Sequence, residues 1–140
     1  MIDNQTLIQH IVDAIQERKG KNIKIVDMTE IDSVCDFFVI CEGTSNTQIA
    51  AICDSVWDGV REKCGVKPFA AEGMRNALWI AMDYGDIMVH IFDRETRQFY
   101  DLEHLWDDAS LTEIPDLEIR KEHLPAIEKE YENLCDEYLR

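Results

Sequence analysis

The residues predict an α/β (α+β) fold, a single mixed β-sheet with flanking helices, and three observations carry that prediction. Two apolar runs, Ala77 to Met82 and Ile87 to Phe92, flank Asp83-Tyr84-Gly85-Asp86, which has the composition of a tight reversal between antiparallel strands. Two other stretches repeat their apolar residues at helical spacing. One of these follows an apolar strand through a Gly-Thr-Ser turn, so strands and helices are interleaved along the 140 residues. One sheet with helices packed on it is the economical way to bury both kinds of element.

Taken in order, Leu7, Ile8, Ile11, Val12 and Ile15 form one helical stripe, with Asp3 or Asn4 to cap its start and Gly20 to end it. Asn22 to Met28 alternates and then turns apolar, which predicts a strand. Glu30 to Val34 is a link, and Cys35 to Cys41 is a second, more buried strand. Gly43 permits a sharp turn into a helix that Thr44 or Ser45 caps. That helix carries Ile49, Ile52, Cys53, Val56, Trp57 and Val60 on one side and closes at Gly65.

Lys67 to Glu72 is expected as a third strand, and Pro68 places its start at a sheet edge or at the strand's first residue. A polar loop, Gly73 to Asn76, leads into the hairpin. Both arms of the hairpin are apolar at nearly every position, which predicts cover on both faces. Asp93 is placed to cap a short helix, and Tyr100, Leu102, Leu105 and Trp106 are expected at the core or its rim. The compact unit is expected to end near 108. The domain division is therefore a core of 1–108 and an acidic C-terminal extension of 109–140. In the extension Ile127, Tyr131, Leu134 and Tyr138 recur at helical spacing after Pro125, which predicts an extra C-terminal helix.

Composition narrows the function. The chain carries 29 Asp and Glu against 14 Lys and Arg, a net charge of −15. Such a surface repels bare nucleic acid, because affinity for phosphates comes from Lys and Arg releasing counterions, so no direct DNA contact is expected. It favours a basic protein partner. With no charged-then-apolar leader and no apolar run near about 18 residues, a cytoplasmic protein without a membrane span is expected. Cys35, Cys41, Cys53, Cys64 and Cys135 are an odd number with no zinc-site spacing, and they are read as small buried hydrophobes.

The residues raise two candidate chemistries. The Gly43-Thr44-Ser45 turn is the entry motif of nucleotidyltransferases, which need two carboxylates one residue apart on the following strand to hold Mg²⁺. Here that strand offers only Glu72, and no lysine stands near the turn in sequence. A metal-dependent nucleotidyltransferase using this turn remains the alternative reading. The sequence does not forbid Cys41 and His90 meeting across adjacent strands, but a histidine within Val89-His90-Ile91 reads first as a hydrogen-bonded core residue. No metal or cofactor is expected.

The pieces become specific as an ordered set. Ser33-Val34-Cys35-Asp36-Phe37-Phe38-Val39-Ile40-Cys41, Gly43-Thr44-Ser45, Glu72-Gly73, Trp79, Asp83-Tyr84-Gly85-Asp86, Val89-His90-Ile91-Phe92, Phe99-Tyr100-Asp101-Leu102-Glu103 and Leu105-Trp106 together resemble the ribosomal silencing factor family, also called the Iojap-related family. The match covers about residues 5 to 108; Gly73 to Ala77 departs from the family's pattern. The resemblance implies a fold similar to the nucleotidyltransferase architecture but without its metal carboxylates. It implies a non-enzymatic translational repressor that binds a basic ribosomal protein on the intersubunit face of the large ribosomal subunit. By doing so it would block joining of the small subunit when nutrients are limiting. A homodimer is implied for the free protein. Trp79, Asp83, Tyr84, Asp86 and His90 are the expected partner-binding residues: aromatic anchors beside carboxylates that can pair with arginine.

Overall fold

Asp3 starts the first helix, α1 (Asn4–Glu17), by accepting the Thr6 backbone N–H at 2.7 Å, and the same bonds hold its carboxyl below the usual range. The computed structural model describes residues 2–31, 33–106 and 108–116. Leu7, Ile8, Ile11, Val12 and Ile15 are buried, as their spacing predicts. The helix ends sooner than expected, at Arg18, and Lys19 rather than Gly20 takes the left-handed backbone at φ 60°. Gly20 answers a different need: a Cβ there would overlap Ile15 Cγ2.

The strands are β1 (Lys21–Asp27), β2 (Phe37–Gly43), β3 (Ala70–Glu72), β4 (Trp79–Asp83), β5 (Ile87–Asp93) and β6 (Ser110–Ile114). Between them lie α2 (Asn46–Cys64) and α3 (Arg94–Tyr100), the latter followed by a 3-10 turn, Leu102–His104. The sheet runs β3-β4-β5-β2-β1-β6, antiparallel throughout except for the central β2–β5 pair. The fold is thus the expected mixed sheet with helices, and β3 is the edge strand that Pro68 foretells.

Helices α1 and α2 cover one face, over Ile23, Val39, Cys41, Ile80, Met82, Ile87, Val89 and Ile91. Ser45 caps α2 by accepting the Gln48 N–H, and Gly65 closes it in the left-handed conformation at φ 68°. The opposite face carries a smaller cluster, Val26, Met28, Cys35, Phe38, Ile40 and Phe92, with Leu102 and Trp106 packed against it.

Several expectations are corrected. β2 begins at Phe37 and β3 at Ala70, later than the apolar runs suggest. Cover on both faces holds for β5 but not for β4, where Trp79, Ala81 and Asp83 are only half-buried, because β4 stands next to the sheet edge. Of the residues expected at the core or its rim, Tyr100 and Leu105 are exposed, Tyr100 standing at the rim against Trp79. The sheet also runs past 108: Ser110–Ile114 pairs antiparallel with β1, Leu111 opposite Val26 and Ile114 opposite Ile23. An edge strand is short and mostly exposed, so its burial pattern left little for periodicity to detect. The helix expected over Ile127 to Tyr138 lies outside the described residues.

Candidate partner-binding face

The pleat sorts the expected site residues before any side chain is considered. In β4 and β5 the register opposes Trp79 to Phe92, Ala81 to His90 and Asp83 to Met88, all on the face away from α1 and α2. Parallel pairing sets Ile40 beside His90 and Cys41 beside Ile91, so Cys41 and His90 project to opposite faces. The pleat therefore rules out a Cys41–His90 pair. Cys41 is fully buried, which pushes its thiol up to about 12.

Trp79 is half-buried at one end of β4. Its ring stacks on Phe92 with centroids 5.0 Å apart and meets Tyr100 at 4.6 Å. Its indole N–H donates to His90 Nδ1 at 3.0 Å. His90 itself is 4% exposed and edge-on to Phe38 at 4.6 Å. Burial lowers its pKa to about 4, so it is neutral at physiological pH.

Asp83 and Asp86 stand at the other end of the hairpin. Asp83 Oδ1 accepts the Gly85 N–H at 2.8 Å and braces the turn, where Gly85 takes φ 90°. Asp86 is exposed, and its carbonyl accepts the N–H groups of Asp36 and Phe37, bringing a third carboxylate to the tip. Phe69, 81% exposed, lies over Gly85. Tyr84 is not an exposed anchor: it is 6% exposed in the helix-side core, and burial raises its hydroxyl pKa. Tyr84 on the helix side and His90 on the opposite face are therefore buried supports of the hairpin, while Trp79, Asp83 and Asp86 reach its surface.

Two features escaped sequence reasoning. The first is a groove of about 610 Å³ beside Trp79, with Leu78, Phe99 and Tyr100 exposed on its walls. Consecutive aromatics at the end of a short helix were its only sequence signal. The second is a buried ion network. Arg97, 5% exposed, forks onto both Glu103 oxygens at 3.1 Å and reaches Glu42 Oε1 at 3.1 Å. Asn22 donates to the same Glu42 oxygen at 2.8 Å, and Lys24 stands 3.5 Å from Glu103. Two carboxylates thus face two cations, and the network fixes α3 and the 3-10 turn on the sheet. Residues from β1, β2, α3 and the turn meet here, so no local spacing announces it.

The Gly43-Thr44-Ser45 turn is closed by its own helix. Gln48 Oε1 accepts the Thr44 N–H at 2.7 Å and lies 3.0 Å from Thr44 Oγ1, while its amide nitrogen donates to the carbonyls of Arg18 and Lys19. The cleft beside the turn does hold cations absent from its local sequence, Lys21 and Arg94, but Glu42, Asp93, Glu95 and Asp116 line it too. Glu72 lies on the far edge strand. Among the described residues no three His, Cys, Asp or Glu side chains gather as a metal would require, and no helix is long and apolar enough to cross a membrane.

Comparison with known proteins gives this face its context. A family model described as ribosomal silencing factor during starvation matches residues 2–135, well beyond the span over which the sequence motifs themselves extend. The ribosomal silencing factor of Halalkalibacterium halodurans is 35% identical over 113 residues, 81% of this chain and 96% of that one. A mouse protein named for mitochondrial assembly of the ribosomal large subunit is 28% identical over 101 residues, 71% of this chain and 44% of its own. A crystal structure from Chromobacterium violaceum superposes with a TM-score of 0.72 at 28% identity, covering 85% of this chain and 95% of that one.

Proposed function

The chain belongs to the ribosomal silencing factor family, and from that premise we propose that it is a stoichiometric repressor of translation. It binds a basic protein on the intersubunit face of the large ribosomal subunit and thereby excludes the small subunit when nutrients are limiting. The name of the mouse relative supports the large subunit as the target. The observation that carries the reading is the joining, on one sheet face, of an aromatic groove at Trp79 with the carboxylate of Asp83, beyond which Asp86 stands exposed at the turn, 3.5 Å from the Asn4 amide at the start of α1. About four strand steps, roughly 13 Å, separate them, within the footprint of one protein interface. Exposed aromatics supply anchoring area and the carboxylates select arginine or lysine on the partner. Free in the cytoplasm the protein is a homodimer, and binding needs neither metal nor nucleotide.

The test is co-sedimentation with purified large subunits, followed by addition of small subunits. One copy should pellet per large subunit and block formation of joined ribosomes. A protein that stays at the top of the gradient overturns the reading. So does inhibition that saturates far below one copy per ribosome.

A further inference from the structure

The helix layer is narrower than the sheet it covers. Six strands at about 4.8 Å spacing span about 24 Å between the outer strand axes, and two helices of about 10 Å cover some 20 Å of that. The helices pack chiefly on β2, β4 and β5, so the sheet extends past them at both edges, β3 and β1–β6, and the β1–β6 edge carries a groove. There a groove of about 350 Å³ runs between α1 and β6, floored by Ile25 and Ile114 and walled by Ile8 and Val12. The α1 residues on its rim are Gln5, Gln9 and Gln16, uncharged in a chain of net charge −15, and Asp27 is its one carboxylate.

We propose that this groove is the seat of the chain's own C-terminal segment, with Ile127, Tyr131, Leu134 and Tyr138 turned into it. The stripe has too few residues to hold a helix in water without a surface to pack on. Its span fits: Ile127 to Tyr138 as a helix is about 17 Å, as is Gln5 to Gln16 along α1. Its point of departure fits as well. The Asn22 N–H donates to Asp116 at 2.9 Å, so the chain leaves β6 beside the start of β1, two residues past Ile114 in the floor of the groove and near the C-terminal end of α1. From there a short connection suffices for a helix running antiparallel to α1. Charge selects the same seat. Glu128, Glu130, Glu132, Asp136 and Glu137 are repelled by an acidic surface, and a margin rimmed by amides repels them least. The same crowding disfavours two such segments lying together from two copies.

The full-length chain tests this through Leu134→Asp, read by backbone amide shifts, melting temperature and sedimentation. The expected result is shifts concentrated at Gln5 to Gln16 and Thr112 to Ile114, a melting temperature lower by several degrees, and an unchanged sedimenting mass. A second full-length variant, Thr112→Glu, places a charge on the exposed rim of β6 and should reproduce the shifts in the 126–138 amides. Shifts at Leu78, Phe99 and Tyr100 instead would seat the segment in the other groove and overturn the proposal. Absence of shifts in α1, or a changed mass, would overturn it equally. None of these readouts involves the ribosome, so the result stands apart from the proposed function.

Discussion

Trp79 and His90 fix each other's chemistry: an indole N–H can only donate, so His90 Nδ1 must accept it at 3.0 Å and the ring proton sits on Nε2. Nε2 is buried without a partner. His90 is therefore held neutral and in one tautomer by a residue that also forms the floor of the exposed groove.

Acid should loosen the fold through His90. Its folded pKa of about 4 lies below the ordinary 6.5, so its contribution is fully present above 6.5 and is lost as pH falls toward 4. The slope is about 1.4 kcal/mol per pH unit, on the order of 3 kcal/mol in all. His90→Gln keeps an acceptor for Trp79 and removes the titration. Its denaturant midpoint should fall less between pH 7 and pH 4.5 than that of the parent chain. Parallel losses would mean that other groups carry the acid sensitivity.

Arg97→Met should be among the most damaging single changes. It takes the guanidinium from both Glu42 and Glu103, leaving buried carboxylates with only Lys24 beside Glu103, at a cost of about 3–5 kcal/mol. Arg97→Lys should recover only part of this, since an ammonium cannot fork onto both Glu103 oxygens. Equal stability of the lysine and arginine forms by urea unfolding would show that the fork has no energetic role.

Trp79→Ala should weaken binding to large subunits by about 2 kcal/mol or more. Asp83→Asn and Asp86→Asn should each cost less and flatten the dependence of binding on salt. Asparagine at 83 still offers an oxygen to the Gly85 N–H, so the turn should persist. Normal binding by a Trp79→Ala chain whose melting temperature has dropped would make Trp79 a core residue only.

Two glycines with positive φ should respond differently to alanine. Gly73, at φ 89°, has the Trp79 carbonyl where a Cβ would stand, whereas Gly65, at φ 68°, has open space. Gly65→Ala should cost about 1–2 kcal/mol, the backbone penalty alone. Gly73→Ala should cost more and should also change the fluorescence of Trp79. Equal losses with unchanged fluorescence would show that the close approach is easily relieved.

What the sequence disclosed and what it hid follow one physical division. Periodicity reads out burial, so α1, α2 and the hairpin were visible through Leu7 to Ile15, Ile49 to Val60 and the runs around Gly85. The short edge strand β6 was not visible, because only Ile114 in it is even half-buried. At the site, residue type suggested Trp79, Asp83, Tyr84, Asp86 and His90 together. Only the pleat and the turn separate those that reach the surface from Tyr84 and His90 beneath it. Nothing in the local sequence marks Arg97, since its partners arrive from β2 and from beyond α3.

The single parallel pair in the sheet also divides the chain in time. β1 with β2, and β3 with β4 and β5, are hairpin neighbours that close over short loops. β2 meets β5 only across 50 residues, Phe37 with Ile87 and Gly43 with Asp93, and β6 must return over a longer distance still to reach β1. Closing such separations costs chain entropy before any contact repays it, so this junction is expected to slow folding. Val39 and Val89 face each other there, and truncating either should slow refolding, whereas truncating Met82 in the outer hairpin should chiefly hasten unfolding. A nascent chain therefore holds its first hairpin without a permanent neighbour until β5 has been made. During that interval β2, the most buried strand of the finished protein, is an open edge.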